Sequence, residues 1–455
     1  MNYKDFPEKV QILIEEFTKN QFEIAVVGGA VRNLILDHKV KDWDFTTNAT
    51  PEEILKMFEG YYDNDYGTVR VKIDNDIFEV TTYRSEHGYS DGRRPDKVIW
   101  GETLEEDLSR RDFTVNAIAI KFVNKKPEIV DPFDGRKDLK GRLIRSVGNP
   151  TERFREDGLR VLRAVRFAIQ LNFNIEKNTF ESLKDERFML LKIANERIRD
   201  EFLKICSSCD SYEHFMLMWN TEIVEIILPE LAKCFGVEQK SQKRHHQYDV
   251  WKHNVMSMIL CPSKDPVVKL AALLHDIGKP LVADITEEGI RTFYNHDLVG
   301  AQIARNICSR WNMSKMDTTR VVKLVRWHLF SVNEFQTDKA VRRLIRNVGN
   351  ENVSDLMDVR IGDRLGSGST RESWRLRKFK ERLAEVSKTN FEIKDLKVDG
   401  HDVMKIFDLQ PGPEIRKVLT DVFEKVDSDE IKNDRESLIE YLELLKSSNF
   451  LGNNQ

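Results

Sequence analysis

Apolar residues recur along the chain with two different periods, and the change between them divides the sequence. In residues 22–82 short apolar runs alternate with helical patterns, and the run IAVV at 24–27 predicts a buried strand. The runs TVRVKI at 68–73 and IFEVTT at 77–82 flank a DND turn, which predicts a hairpin. From about residue 150 the pattern is almost wholly helical. The sequence therefore predicts an α+β fold, with a small mixed sheet and its helices preceding a long helical region.

Signals at the edges of the small domain refine its limits. Residues 5–19 predict an amphipathic helix with Val10, Leu13, Ile14 and Phe17 on its apolar side. A second helix is expected to begin after Thr50, with Pro51 at its first position. The apolar stretch VNAIAIKFV at 115–123 predicts the closing strand, and the segment DPFDGRKDLKGR after it is rich in turn residues.

Composition narrows the classes of function. The chain has 455 residues, more than one core normally organises, and boundaries are expected near 150, 240 and 380. The net charge of −4 provides no global basic field, so nucleic-acid contacts would have to come from local basic clusters. There is no signal-peptide core or run of membrane-spanning length, and five cysteines suit a reducing compartment. These features predict a cytoplasmic protein with no membrane partner.

The segment GGAVRNLILDHKVKDWD carries the strongest chemical signal in the chain. Gly28 and Gly29 end a predicted strand, where glycine lets the backbone approach a phosphate closely. Asp42 and Asp44 would face the same side of an extended strand. Such carboxylates repel each other unless a cation lies between them, and Mg²⁺ is the usual one. The combination predicts two-metal nucleotidyl transfer, although either half alone also occurs in ordinary turns and solvated faces.

Further charged residues extend this candidate site. Glu79 lies mid-strand in IFEVTT, as either a third carboxylate of the metal site or a solvent-facing residue of an edge strand. The segment SRRDFTVNAIA provides four polar side chains, Arg110, Arg111, Asp112 and Asn116. Guanidinium groups suit a triphosphate, and the aspartate and asparagine would orient them or bind a ribose.

The helical pattern RFREDGLRVLRAVRFA places four charged residues at helical spacing, Asp157, Arg160, Arg163 and Arg166. A plain amphipathic helix explains the apolar residues between them. Carboxylate and guanidinium groups together also satisfy the hydrogen-bonding edge of a base. The protein itself would then choose the nucleotide without a template.

These segments resemble the class II nucleotidyltransferases, the group of bacterial CCA-adding tRNA nucleotidyltransferases and bacterial poly(A) polymerases. The matching motifs are GGAVRN…DWDF, FEVTTYR, DGRRPD, RRDFTVNA, DPFDGRKDL, EDGLRVLRAVRFA and ERIRDEFLKI, in order over about the first 205 residues. The sequence departs at Asn33 and Leu34, where the family commonly has an aspartate after the arginine. The resemblance implies a polymerase-β-like nucleotidyltransferase head.

The resemblance also implies roles for individual residues. Asp42 and Asp44, with Glu79, would form the catalytic magnesium site. The nucleotide-binding residues would be Gly28, Gly29, Arg32, Arg111, Asp112, Asn116, Asp157, Arg160, Arg163 and Arg166. Among these, Asp157 and Arg160 would select CTP or ATP by pairing with the base. The loop at 85–95 resembles an element that enzymes adding only CC have shortened, and its retention argues against that activity.

A second constellation follows the H…HD…D order of the HD phosphohydrolase superfamily, in His253, His275, Asp276 and Asp363. Imidazole and carboxylate ligands suit a divalent transition metal or magnesium. His296 and His328 would complete a second metal position. The resemblance implies a phosphatase or cyclic phosphodiesterase that trims damaged tRNA ends, and the alternative is a helical fold that only packs against tRNA.

The sequence thus predicts four regions: a nucleotidyltransferase head (1–150), a nucleotide-selecting and tRNA-binding neck (151–240), an HD domain (241–380) and a helical tail (381–455). The expected activity is addition or repair of the 3′-terminal CCA of tRNA with CTP and ATP. An A-adding tRNA enzyme and a poly(A) polymerase remain alternatives on the same scaffold. A different alternative makes the HD phosphohydrolase the main activity and the head an RNA-binding module.

Overall fold

The computed structural model describes residues 2–62, 67–87, 97–101, 103–239, 248–330, 338–369, 374–388, 393–427, 430–448 and 450–451. They divide into two compact units. The first comprises Met1–Arg326 and Asp358–Ser369, and the second comprises Trp327–Met357 and Thr370–Gln455. Most of the loop predicted at 85–95, namely residues 88–95, lies outside the described residues, and residues 85–87 belong to a strand.

The described strands are β1 (Ile24–Val27), β2 (Asp44–Thr47), β3 (Gly60–Tyr62), β4 (Thr68–Ile73), β5 (Asp76–Thr82), β6 (Arg84–His87), β7 (Lys97–Trp100), β8 (Ala119–Val123), β9 (Lys126–Val130), β10 (Leu143–Ile144), β11 (Asn174–Ile175), β12 (Asp284–Ile285) and β13 (Arg291–Thr292).

The described helices are α1 (Glu8–Lys19), α2 (Gly29–Ile35), α3 (Pro51–Met57), α4 (Leu104–Ser109), α5 (Gly135–Gly141), α6 (Pro150–Glu156), α7 (Leu159–Leu171), α8 (Lys177–Asp185), α9 (Asn195–Ser208), α10 (Tyr212–Asn220), α11 (Ile223–Ile227), α12 (Pro229–Ala232), α13 (Val250–Leu260), α14 (Pro266–Leu274), α15 (Lys279–Val282), α16 (His296–Arg310), α17 (Lys315–Trp327), α18 (Asp338–Val348), α19 (Val353–Gly366), α20 (Trp374–Lys388), α21 (Gly400–Phe407), α22 (Pro413–Asp427) and α23 (Arg435–Ser447).

The head is built on a mixed sheet whose described strands run in the order β3-β4-β5-β2-β1-β8-β9. Its neighbouring strands are antiparallel except β2 and β5, which are parallel. The predicted hairpin is confirmed as β4 and β5. Along β4, Val69 and Val71 are buried and Arg70 is exposed, as the alternation of side chains on a strand requires. At β4 one face of the sheet is therefore packed against the core and the other carries polar groups, whereas β1 is buried on both faces.

Two predicted helices of the head are confirmed. Helix α1 buries its apolar side and begins a few residues later than the pattern indicated. Helix α3 begins with Pro51 after a capping box, in which the Glu53 amide donates to Thr50 Oγ1 at 3.4 Å and the Thr50 amide donates to Glu53 Oε2 at 2.8 Å.

Three local predictions were wrong. The strand expected at 115–123 begins only at Ala119, because residues 114–116 form a 3₁₀ turn. The turn-rich segment after it contains α5, whose first amides donate to the Asp131 carboxylate at 2.7 and 2.9 Å. Asp42 precedes β2 and does not share a strand with Asp44.

The described chain beyond residue 150 is mainly helical, with only the short strands β11 to β13, which confirms the predicted α+β class. In the second unit, α21, α22 and α23 share an apolar core that includes Val403, Val418, Val422, Leu438 and Leu442. Among the described helices, none is long and apolar enough to cross a membrane. The division into four regions stays a prediction.

Candidate active site

The Gly28–Gly29 turn joins β1 to α2 beside one aspartate and one arginine. Gly28 has φ of 68°, in the region that favours glycine. A Cβ atom at this position would lie 3.2 Å from Arg111 Nη1 and 3.7 Å from Asp44 Oδ2. A side chain there would therefore be strained and would press on both groups. The turn, the arginine and the carboxylate form one compact site.

The three predicted carboxylates line one cavity. Asp44 begins β2 and pairs in register with Glu79 on β5. Burial raises the pKa of Asp44; Arg111 acts against this effect, and Glu79 and Asp42 add to it. The carboxylates thus repel one another, as expected for acidic groups that a cation would bring together.

A cavity of about 970 Å³ opens at these carboxylates, and its lining includes Asp42, Asp44, Glu79, Lys41 and Trp43. Among the described residues, the carboxylate oxygens do not meet the 4.8 Å mutual spacing of a ready-made metal cluster. The Glu79 carboxylate is instead bonded to a neighbouring arginine. The donor set suits Mg²⁺ in chemistry, since hard oxygen ligands are what this ion prefers.

Arg111 is held by a buried carboxylate of the preceding helix. Asp107 accepts from Arg110 Nη2 at 2.6 Å and from Arg111 Nη2 at 3.2 Å, and its side chain is fully buried. Burial alone would raise the pKa of Asp107, but the two guanidinium groups outweigh it and the pKa is lowered. Asp107 thereby holds Arg111 beside the glycine turn.

Asp112 and Asn116 orient arginines, which was one of the two roles open to them. Arg163 donates to Asp112 Oδ2 at 2.6 and 2.8 Å, and Asn116 Nδ2 donates to Asp112 Oδ1 at 3.2 Å. Arg32 in turn donates to Asn116 Oδ1 at 2.6 Å. Burial opposes ionisation of Asp112, but Arg163 outweighs it and lowers the pKa to about 2. Polar groups of head and neck are therefore joined in one network.

Around the Phe167 ring this network concentrates positive charge. The guanidinium carbons of Arg32, Arg163 and Arg166 lie 5.4, 5.2 and 3.8 Å from the ring centroid. Burial, and then repulsion from Arg166, lower the pKa of Arg32 to about 10. A buried surplus of positive charge favours binding of an anion such as a triphosphate.

The Arg160 amide donates to the Asp157 carbonyl at 2.9 Å, and the side chain of each residue has a partner that was not predicted. Asp157 accepts from Arg197 at 2.8 and 3.2 Å. Arg160 bonds to Glu156 and donates to the Arg110 carbonyl at 3.0 Å. The residues expected to select the base are therefore held from α6, α9 and the head.

Sequence reasoning missed Arg197 and Glu201 as members of this site. Glu201 is buried and lies 2.5 Å from Arg166 Nε and 3.8 Å from Arg163. Both lie on α9, four residues apart and so on one face of the helix. Their segment ERIRDEFLKI resembled the family, and this spacing was the available signal.

The predicted histidine and aspartate cluster is brought together within the first unit. His253 Nε2 lies 3.1 Å from His275 Nε2 and 3.3 Å from both Asp276 Oδ2 and Asp363 Oδ1. His296 Nε2 lies 3.2 Å from Asp276 Oδ1. All five residues are buried. His328 belongs to the second unit.

The orientation of the imidazoles suits metal binding. His275 Nδ1 lies 2.7 Å from the Ala272 carbonyl, so its Nε2 faces the other cluster members. The ligand atoms of His253, His275 and Asp363 lie within 4.8 Å of one another. A mixed set of imidazole and carboxylate donors fits a divalent metal.

Lysine and histidine charges balance the carboxylates of this cluster. Lys279 is buried and ion-paired with Asp276, and it donates to Gln239 at 2.5 Å. Burial opposes ionisation of Asp276, but Lys279 and the imidazoles outweigh it and hold the pKa well below its usual range. Burial also opposes protonation of His253, yet Asp276 and Asp363 raise its pKa to about 9.

Three segments of the chain match models of known protein families. A model described as the poly A polymerase head domain matches residues 24–145. A model of the RNA and SrmB binding site of polymerase A matches residues 172–235. A model of tRNA nucleotidyltransferase domain 2 matches residues 292–442.

Full-length relatives decide the family. A curated CCA-adding enzyme of Pediococcus pentosaceus is 30% identical over 437 residues, which cover 95% of this chain and 96% of the relative. The chain belongs to the CCA-adding enzyme family. A CCA-adding enzyme of Lactobacillus helveticus is 46% identical over 213 residues, which cover 46% of this chain and 52% of that relative. In matches of this second kind, the chain spans about half the length of the curated relative.

Solved structures of CCA-adding enzymes share the fold. The Bacillus stearothermophilus CCA-adding enzyme in complex with CTP aligns with a TM-score of 0.71 at 24% identity, over 99% of this chain and all of that one. The Thermotoga maritima enzyme complexed with tRNA aligns with a TM-score of 0.57 at 20% identity, over 96% and 95%. These likenesses show that the chain shares the fold of those structures, as the motifs indicated.

Proposed function

We propose that this member of the CCA-adding family adds or repairs the 3′-terminal CCA of tRNA, using CTP and ATP without a template. The observation that carries the proposal is the meeting of the Gly28 turn, Arg111 and Asp44 at one cavity. A triphosphate requires positive charge beside a close backbone approach, and nucleotidyl transfer requires carboxylates next to it. A cytoplasmic location is part of the proposal.

Asp42, Asp44 and Glu79 would hold magnesium, which when bound supplies Lewis acidity at the tRNA 3′-hydroxyl and at the leaving pyrophosphate. Gly28, Gly29, Arg32 and Arg111 bind the triphosphate. The network of Asp112 and Asn116 keeps the guanidinium groups aimed at it. Asp157 and Arg160 bind the edge of the base, held by Arg197 and Glu156. Arg163 and Arg166 support this site from the same helix through Asp112 and Glu201.

Asp44→Asn tests the catalytic role. The variant is expected to lose incorporation of CTP and ATP into tRNA lacking CCA by at least about a thousandfold, since a lost metal ligand removes several kcal/mol of transition-state stabilisation. Asp76→Asn is the matched control, because Asp76 lines the same cavity but pairs with Lys9 at 2.7 Å. Full activity of Asp44→Asn would contradict the two-metal assignment.

Substrate choice separates the alternatives on the same scaffold. Purified protein is incubated with tRNA ending at the discriminator base and with tRNA ending in CC. CCA addition requires growth of both substrates, and growth of only the second indicates an A-adding enzyme. Long ATP-only tails on unstructured RNA would identify a poly(A) polymerase instead.

The histidine cluster supports a second activity, a metal-dependent phosphohydrolase acting on phosphorylated tRNA ends. His253, His275, Asp276 and Asp363 would bind a divalent metal, and the buried convergence of these groups favours this candidate. Residues 241–380 would form that HD domain, between the neck and the tail.

His275→Ala with Asp276→Ala tests this activity and its separation from the head. The double variant is expected to lose bound metal, measured by elemental analysis, and to lose phosphate release from RNA ending in a 2′-phosphate or 2′,3′-cyclic phosphate. It should still add nucleotides. If the wild type releases phosphate but adds no nucleotide, the head is an RNA-binding module of a phosphohydrolase.

A further inference from the structure

Four side chains form a transverse row across neighbouring strands of the head. Asp44 on β2 pairs in register with Glu79 on β5, Glu79 pairs with Arg70 on β4, and Arg70 pairs with Tyr61 on β3. Residues opposite each other in a sheet project from the same face. The row therefore runs over the open face from the catalytic aspartate to the edge strand.

Hydrogen bonds fix the outer half of this row. Arg70 Nε donates to Glu79 Oε1 at 3.1 Å, and Arg70 Nη1 donates to the Tyr61 hydroxyl at 2.9 Å. The guanidinium carbon lies 5.6 Å from the Tyr61 ring centroid. Tyr61 nevertheless remains 48% exposed. An aromatic ring with an adjacent guanidinium is thus held in place and left open to solvent.

The distance between Tyr61 and the catalytic Asp44 limits what Tyr61 and Arg70 can bind. Three strand spacings place Tyr61 about 14 Å from Asp44. The incoming nucleotide is assigned to the arginine network and α7, which begins at Leu159 in the neck. The open face on the other side of the carboxylates is available to the RNA strand that carries the attacking hydroxyl.

We propose that Tyr61 and Arg70 form a stacking platform for one of the last two bases of the RNA primer. The proposal rests on the proposed function and names where the primer end binds. Stacking suits this position because every base has a π face, whereas hydrogen-bond readout accepts one base. A primer that grows by successive different nucleotides needs such a base-tolerant contact upstream of the reacting hydroxyl.

Fluorescence of labelled RNA tests the platform directly. An RNA minihelix carries 2-aminopurine at either the terminal or the penultimate 3′ position. Wild-type protein is expected to quench the fluorescence of one of the two probes. The Tyr61→Phe variant should keep that quenching, and the Tyr61→Ala variant should lose it. Tyr294→Ala, which removes an aromatic residue that is 75% exposed outside the head, is the matched control and should quench like the wild type. Equal quenching by Tyr61→Ala and the wild type would overturn the proposal.

Steady-state kinetics separates stacking from a purely structural role. Tyr61→Ala is expected to raise KM for RNA ending in CC at least about fivefold and to leave KM for ATP unchanged. If Tyr61 only held Arg70 and Glu79, then Tyr61→Phe and Tyr61→Ala would lower kcat alike with KM for RNA unchanged, which would refute the platform. Failure of the proposed function is distinct, because the wild type would then not extend tRNA that ends at the discriminator base.

Discussion

The head and the histidine cluster both gather carboxylates, but their surroundings differ. Asp42, Asp44 and Glu79 line a cavity, where burial and then repulsion from Glu79 and Asp42 raise the pKa of Asp44. Asp276 and Asp363 lie in a buried cluster, where cationic and imidazole groups lower the pKa values of both carboxyls despite burial. At Asp44 burial and repulsion outweigh the effect of Arg111, whereas in the second group neighbouring cationic and imidazole groups outweigh burial.

This difference indicates how each site relates to stability. A carboxylate that is repelled in the folded state costs stability, which a functional site accepts for its ligand. Removing a buried carboxylate from its buried cationic partner destabilises the fold, because the cation is left uncompensated. Neutralising Asp276 should therefore lower the free energy of unfolding, whereas neutralising Asp44 should not.

The largest loss of stability is expected for Asp276→Asn. Lys279 is only 5% exposed, so the variant leaves a buried cation without its counterion and costs about 3 to 5 kcal/mol. Urea unfolding in the presence of a chelator measures the effect without metal. The double variant Asp276→Asn with Lys279→Met should recover much of the loss. An unchanged unfolding midpoint for the single variant would contradict the charge balance described here.

A smaller loss, about 2 to 3 kcal/mol, is expected for Asp112→Asn, since its partner Arg163 retains 31% exposure and partial solvation. The pKa of Asp112 is about 2 in the folded protein, below its ordinary value of 3.8, so its pairing stabilises the fold above about pH 4. That contribution disappears as pH falls through about 2. Unfolding curves of the two proteins should thus converge in acid, and a difference that stays constant with pH would refute the pairing.

Asp44→Asn is expected to leave stability unchanged or raise it by up to about 1 kcal/mol at neutral pH in chelator. The folded state disfavours the ionised form of Asp44, so the neutral amide relieves that cost. Thermal unfolding compared with wild type checks the sign, alongside the loss of nucleotide addition. A clear drop in stability would show that Asp44 is a structural residue.

The smallest effect is expected for Glu79→Gln. Its carboxylate is half-exposed and pairs with Arg70, so stability should not change measurably. Nucleotide addition should fall by about tenfold, well short of the loss in Asp44→Asn, because the glutamate is engaged by that arginine. A loss equal to that of Asp44→Asn would make Glu79 a full metal ligand.

The secondary structure of the head was predictable where the hydrophobic pattern and the capping or turn residues indicate the same element. The strand before Gly28, the capping box at Thr50 and the hairpin of β4 and β5 each follow from adjacent residues. The strand containing both Asp42 and Asp44 was wrong, since pairing with β1 begins at Asp44. Strand ends depend on which neighbour supplies hydrogen bonds, and local pattern does not reveal that neighbour.

The sequence did not reveal which residues form ion pairs with the predicted site residues. Arg197 holds Asp157 over 40 positions of sequence, and Glu201 holds Arg166 over 35. Ion pairs of this kind depend on how α9 packs against α7, which hydrophobic periodicity does not specify.

By itself, the sequence determined the chemical groups of this protein and the order of its elements, because motif composition and periodicity are local properties. Only the tertiary structure decided which groups meet. In the folded protein Asp112 pairs with Arg163, and Asp276 pairs with the buried Lys279. Asp44, Glu79, Arg70 and Tyr61 lie in one row across neighbouring strands. Strand register and helix packing set those meetings, since they arise from contacts between residues far apart in the chain.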